Sequence, residues 1–244
     1  MAGGAFGSSL RIASSAAWGS PSVRWRQGDY GSAMALFEES LALARELGDQ
    51  KGIAQALEGR GFVKMRQGNL DAATALFEES LQLFRKLNDK WLTAMAIIIM
   101  GTVVRQKGDY EKSVALCEES LTMFRTLGGK RSIALALVAT GSAVRLQGDL
   151  ERAAGQYKES LALFGEAGDK WIATECIAGL AIIASAQGKH EKAARLFGVA
   201  EAARETFGIT MLPRERGDLE RFGQRHVRAW GMNPLPPPGP RAGR

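Results

Sequence analysis

The chain repeats itself every forty residues. "ALFEESLALARELGDQ" begins at residue 35, "ALFEESLQLFRKLNDK" at 75, "ALCEESLTMFRTLGGK" at 115 and "GQYKESLALFGEAGDK" at 155, four near-copies joined without a gap. A period of this length belongs to architectures that stack one supersecondary unit on the next, so that each unit buries its apolar face only against its neighbours. One mixed core drawn from distant parts of the chain does not produce such spacing.

Each period holds two helical patterns. In the second, Leu76, Phe77, Leu81 and Phe84 fall on one face of a 3.6-residue helix and need another helix to cover them. The first, such as "IAQALEGRGFVKMR", lies between stop and start signals, and all seven prolines fall outside residues 22–212. The phrase "RQGDY" at 26–30 returns as "RQGNL", "QKGDY" and "LQGDL" at the same interval. Gly28, Gly68, Gly108 and Gly148 sit where a helix ends in the left-handed conformation, and Asp29, Asn69, Asp109 or Asp149 follows to cap the next helix. Twenty residues on, Gly48, Asn88, Gly128 and Gly168 close the second helix, with Asp49, Asp89 and Asp169 as caps. Two helices of roughly 18 residues and two tight corners account for the whole period.

Small residues recur where such helices would cross. Gly61, Gly101, Gly141 and Ala181 form a column on the first helices, and Ala33, Ala73, Ser113, Ala153 and Ala193 one on the second. A further column runs Ser40, Ser80, Ser120, Ser160 and Ala200, its hydroxyls expected to bond back to the preceding turn. Large rings fall at Phe37, Phe77, Tyr157 and Phe197, with Cys117 a departure. In this arrangement residues 23 to about 228 resemble the tetratricopeptide repeat, whose usual unit is a 34-residue helix pair. The resemblance implies an all-α fold: a right-handed solenoid of antiparallel helix pairs over residues 23–210, ended by a capping helix. The 40-residue unit, the "EESL" signature and the ending "KAARLFGVAEAARETFGITMLPRERGDLERF" are similar to the C-terminal repeat region of large bacterial STAND ATPase regulators, LuxR-type and adenylate-cyclase-linked ones among them.

The ends depart from the pattern. Pro21 occupies the crossing position of what would be the first helix, so residues 1–22 are expected to be irregular, the first repeat incomplete and the helix after it short of a partner. That incomplete repeat offers a route to self-association, and the irregular start implies a piece of something longer. Residues 211–230 are expected to form a basic capping helix, with Pro213 in its first turn and Leu219, Phe222 and Trp230 packing back, and 231–244 a disordered Pro/Arg tail. The net charge of +6 also belongs to the ends: residues 1–30 carry +2 and 213–244 carry +4, leaving the repeats balanced.

Several function classes lose support on residue content. "FRTLGGKR" has Phe124 and Arg131 where a phosphate loop needs glycine and a hydroxyl, so the ATPase of the larger regulators is missing, and no helix-turn-helix remains beside the repeats. Cys117 and Cys176 stand far apart without a CxxC, which fits a reducing cytoplasm and offers neither metal site nor disulfide. The run "LTAMAIIIMGTVV" is too short to span a bilayer. His190 and His226 lie apart, at a helix start and in the basic tail, and the Glu38/Glu39, Glu78/Glu79 and Glu118/Glu119 pairs recur as solvated faces with ion pairs between repeats. No catalytic set, cofactor or metal is expected, and no base-reading motif accompanies the tail arginines to support nucleic-acid binding.

Binding is expected instead on the first helices, which in this family line a concave groove. Residues three and four apart place Gln55, Glu58, Phe62 and Met65 there, followed by Met95, Ile98, Thr102 and Arg105. The next repeats add Leu135, Val138, Ser142 and Arg145, then Glu175, Ala178, Ile182 and Ser185. This mostly apolar surface suits an amphipathic helix or extended peptide with an acidic group near Arg105 and Arg145, unless those arginines merely complement helix dipoles. The asparagine that the subclass often places before the crossing is replaced by Gly59, Ile99, Ala139 and Gly179, which favours an apolar partner or self-association over a backbone clamp. The function implied is a protein-interaction module. A ligand- or peptide-sensing domain of a regulator is the alternative.

Overall fold

A computed structural model describes residues 30–167 and 170–207, with the side chains of 164–167 left aside. Among the described residues the fold is all-α, made of nine helices: α1 (Tyr30–Glu46), α2 (Gln50–Arg66), α3 (Leu70–Lys86), α4 (Lys90–Lys107), α5 (Tyr110–Leu127), α6 (Lys130–Gln147), α7 (Leu150–Ala167), α8 (Lys170–Ala186) and α9 (His190–Phe207). The expectations for residues 1–22, Pro21, the corners at Gly28/Asp29 and Gly168/Asp169, the capping helix at 211–230 and the tail at 231–244 lie outside the described residues. Two compact units divide the chain between Cys176 and Ile177, inside α8. In the first, each helix from α1 to α7 packs on its neighbours in sequence, and α4 also touches α6. This is the antiparallel stacking of a helix-pair solenoid.

The corners work as the sequence implies. Gly108 stands at φ +93°, its N–H donating to the Arg105 carbonyl at 3.1 Å, while the Asp109 N–H reaches back to Val104 at 3.2 Å. The Asp109 carboxylate then accepts the Lys112 N–H at 3.1 Å and starts α5. Asp49, Asn69, Asp89 and Asp149 accept from Gly52, Ala72, Leu92 and Arg152 in the same way. Asn88, at φ 53°, is the one described non-glycine residue at positive φ. At Gly129 the repeat has lost its acidic cap, and α6 begins without a side-chain bond.

Large side chains of the second helices fill the spaces left by small residues on the first. A Cβ added at Gly61 would lie 2.5 Å from the Phe77 ring, one at Gly101 2.7 Å from Cys117 Sγ, and one at Gly141 3.1 Å from Tyr157. The two columns are therefore mates, sixteen residues apart, and Cys117 is the smallest occupant of the series. Phe77, Phe84, Phe124 and Tyr157 are all fully buried by this packing. Gly59 admits a second ring from the other side, its added Cβ falling 2.2 Å from Phe37 on α1.

One local expectation is corrected. Ser120 and Ser160 do not bond back to their own preceding turns: their hydroxyls donate across the crossing to the Ala94 carbonyl at 2.8 Å and the Ala134 carbonyl at 2.9 Å. Helix axes close enough for small residues bring a carbonyl of the facing helix within reach, and that bond ties the two helices together. Ser113 does the same to Gly101 at 2.8 Å, whereas the buried Ser80 hydroxyl has no partner among the described residues.

The repeated acids form a surface ladder between successive second helices. Arg85 meets Glu119 at 3.8 Å, Arg125 meets Glu159 at 2.9 Å, and Arg152 pairs with Glu118. These side chains are about half exposed, so each pair contributes at most about 1 kcal/mol. The ladder helps set the register of the stack, while the apolar crossings supply most of its stability.

Candidate functional site

The face read from sequence on α2, α4 and α6 has an apolar floor and a partly open rim. Met65, Met95, Ile98 and Val138 are buried, at 6–7% exposure, and belong to the packing between helices. Gln55, Phe62, Thr102, Arg105, Leu135, Ser142 and Arg145 are half-buried. Phe62 sets its ring edge-on to Phe77, with centroids 5.3 Å apart and planes at 71°. On α8, Glu175 is half-buried in the first unit, and in the second Ala178 is buried and Ile182 and Ser185 are half-buried.

The most polar part of this face gathers around Tyr157. Its hydroxyl lies 3.1 Å from Ser142 Oγ. Burial raises the tyrosine's pKa, while the Arg145 charge, the Ser142 bond, a hydrogen bond from Arg145 and the Arg105 charge pull it the other way. The charges of Arg105 and Arg145, from equivalent positions in successive repeats, thus both act on one hydroxyl. Among the described residues neither forms an ion pair with a carboxylate, and the Arg145 Nε is buried without a partner. Both also lie in the last turn of their helices, where a cation favours the dipole. The sequence register put both arginines on this face but did not reveal the hydroxyl on which their charges act. Tyrosine in a column that otherwise carries phenylalanine was the available signal, because a buried phenol needs a hydrogen-bond partner.

Glu58 is unlike the rest of the face. It is only 1% exposed, and among the described residues neither carboxyl oxygen has a hydrogen-bond partner. Burial alone pushes its pKa up to about 8. Counting along α2 placed the residue on the face but gave no indication that its carboxyl would be enclosed.

The remaining reactive groups stay apart. Cys117 and Cys176 are free and buried, and burial pushes both thiols up to about 11. Neither is a thiolate at neutral pH. Among the described residues no three His, Cys, Asp or Glu side chains gather to hold a metal ion. No described helix is long and apolar enough to cross a membrane.

A run of antiparallel helix pairs with glycine-to-ring crossings, repeated at a fixed interval, defines a helical-repeat protein of the solenoid class. The tetratricopeptide repeat signature matches residues 22–86 and 92–166, more than half of the chain. The chain belongs to the tetratricopeptide repeat family. No curated protein matches it.

Solved structures share the fold at low identity. BtubC (BKLC) from P. vanneervenii is 19% identical with a TM-score of 0.62, over 85% of this chain and 91% of that one. A Rap protein complexed with competence and sporulation factor is 18% identical, TM-score 0.70, over 83% of this chain and 55% of that one. The Rap conjugation gene regulator of plasmid pLS20, in complex with the Phr* peptide, is 12% identical, TM-score 0.71, over 96% of this chain and 60% of that one. The chain therefore spans little more than half the length of either Rap protein.

Proposed function

We propose that the chain is a non-catalytic protein-interaction module that binds a peptide or helix along the face of α2, α4 and α6, with an acidic group of the partner between Arg105 and Arg145. The observation that carries this reading is the pair of half-buried arginines at equivalent positions of successive repeats, whose charges both act on Tyr157 and neither of which pairs with a carboxylate among the described residues. Half-buried guanidinium groups offer planar donors, and a carboxylate is the group that such donors recognise with two bonds. The half-buried Phe62 and Leu135, over the buried floor of Met95, Ile98 and Val138, supply apolar surface for aliphatic anchors. Changing Arg105 and Arg145 together to Ala tests the reading. Binding of a peptide selected on the wild-type protein is expected to fall by about 10- to 100-fold, the loss that follows from removing charged hydrogen bonds. Unchanged affinity would remove the site.

A second reading, a peptide- or ligand-sensing domain of a bacterial regulator in the cytoplasm, is favoured by a specific likeness. Two structures with this fold are Rap proteins in complex with competence and sporulation factor and with the Phr* peptide. The 40-residue unit and the "EESL" signature support kinship with the repeat region of LuxR-type and cyclase-linked STAND ATPase regulators. A sensor raises its melting temperature with peptide concentration by mass action, whereas a scaffold copurifies with a protein from its host. Self-association, for which the exposed Leu36 on α1 is a candidate contact, is read from the mass in solution.

A further inference from the structure

We infer that Glu58 anchors a basic side chain, lysine or arginine, of the peptide bound by the face of α2, α4 and α6. This rests on the proposed peptide-binding reading and adds to it the partner's second charge.

The repeat itself gives no reason for a carboxyl at this position. Its equivalents forty, eighty and 120 residues on are Ile98, Val138 and Ala178, all apolar and buried. Nothing in the packing of later repeats requires an acid, and an aliphatic side chain fills the place there. The cap acids Asp49, Asp89, Asp109 and Asp149 accept backbone N–H groups, and Glu118, Glu119 and Glu159 meet arginines at the surface. Glu58 instead is enclosed with both oxygens unbonded. A buried polar group without a partner is costly, and no described residue supplies one, so the partner is sought in the bound peptide.

The surroundings select the partner's chemistry. Gln55 lies three residues before Glu58 and Phe62 four after, so both share its face, and both are half-buried. A lysine or arginine brings a flexible apolar stem that can pass between them and a cation whose arrival favours ionisation of the enclosed carboxyl. The Phe62 ring adds attraction for that cation. An apolar side chain would leave the carboxyl unpaired, and it is this kind of loss that makes buried polar sites discriminate strongly. With Arg105 on α4 and Arg145 on α6, the face then reads the partner as a dipole. The base lies toward α2 and the acid toward α4 and α6, which fixes the direction in which the peptide runs.

The test is a display selection with random 12-residue peptides on the full chain, run in parallel on the wild type, Glu58→Gln, Glu58→Ile and the Arg105→Ala/Arg145→Ala double variant. Circular dichroism verifies that each protein is folded, and Glu58→Ile carries the residue that the next repeat uses. The wild-type pool is expected to share a Lys or Arg at a fixed spacing from an Asp or Glu. The Glu58 variants should lose the basic position and keep the acidic one, and the arginine variant should do the reverse. In a synthetic member of the wild-type pool, replacing the basic residue by norleucine should weaken binding to the wild type about 10- to 100-fold and leave binding to Glu58→Gln nearly unchanged. A wild-type pool with an acidic but no basic position, or a basic position that survives in both Glu58 variants, overturns the inference and leaves the peptide-binding face standing. An empty pool, or one insensitive to every variant, overturns both.

Discussion

Replacing Glu58 by isoleucine should make the protein more stable, and more so as the pH rises. The folded state holds this carboxyl at about 8 against an ordinary value of 4.5, because burial penalises its charged form. A carboxyl raised in the folded state stays protonated there after the unfolded chain has lost the proton. Stability is therefore undiminished below pH 4.5, falls as pH climbs from there, and reaches its full loss above about pH 8. At 1.36 kcal/mol for each unit of pKa difference, the ceiling is about 5 kcal/mol, of which about 4 kcal/mol develops between pH 5 and pH 9. Asp71 and Asp89 have pKa values lowered by Lys107 and by Leu92 and Lys51, so their contributions change only at more acid pH. The cysteines are common to both proteins and cancel in the comparison. Urea unfolding of wild type and Glu58→Ile at pH 5, 7 and 9 reads the effect directly. The stability difference should grow across the series, with the wild type losing the most at pH 9. Parallel pH profiles would mean that Glu58 is solvated or paired, and the reasoning about its burial would be refuted.

Two further substitutions probe the crossings. Ser120→Leu should cost about 1–3 kcal/mol by overpacking α4 against α5 and breaking the bond to Ala94, and an unchanged melting temperature would contradict the assigned crossing. Gly61→Ala should also destabilise by about 1–3 kcal/mol, since its Cβ would fall 2.5 Å from Phe77. Gly155→Ala, inside α7 with nothing within 4 Å of the added Cβ, should instead stabilise by about 0.5–1 kcal/mol. Denaturant midpoints of the two glycine variants should therefore move in opposite directions.

The repeat period made much of the fold legible. Spacing alone located the corners, because a glycine followed by aspartate or asparagine has one physical role there, and it identified the columns of small and large residues. That Gly61, Gly101 and Gly141 receive Phe77, Cys117 and Tyr157 was not legible, since periodicity tells which face a residue occupies but not what lies against it. The same limit explains the serines. A helix seen alone offers Ser120 only its own preceding turn, and the Ala94 carbonyl becomes available once α4 is in place. On the proposed binding face, the register of Arg105 and Arg145 was readable and the effect of both charges on Tyr157 was not. Glu58 could have been singled out by its own column, where it stands alone among Ile98, Val138 and Ala178.

In the proposed mode of binding, a peptide lies along the first helices of the pairs. Amide chemical shifts of the full chain, followed while a display-selected peptide is titrated to saturation, test it most directly. Perturbations should concentrate on α2, α4 and α6, strongest near Glu58, Arg105 and Arg145, with α3, α5 and, apart from Tyr157, α7 little changed. Perturbations centred on the Arg85, Arg125 and Arg152 ladder of the second helices, or none at saturation, would contradict it.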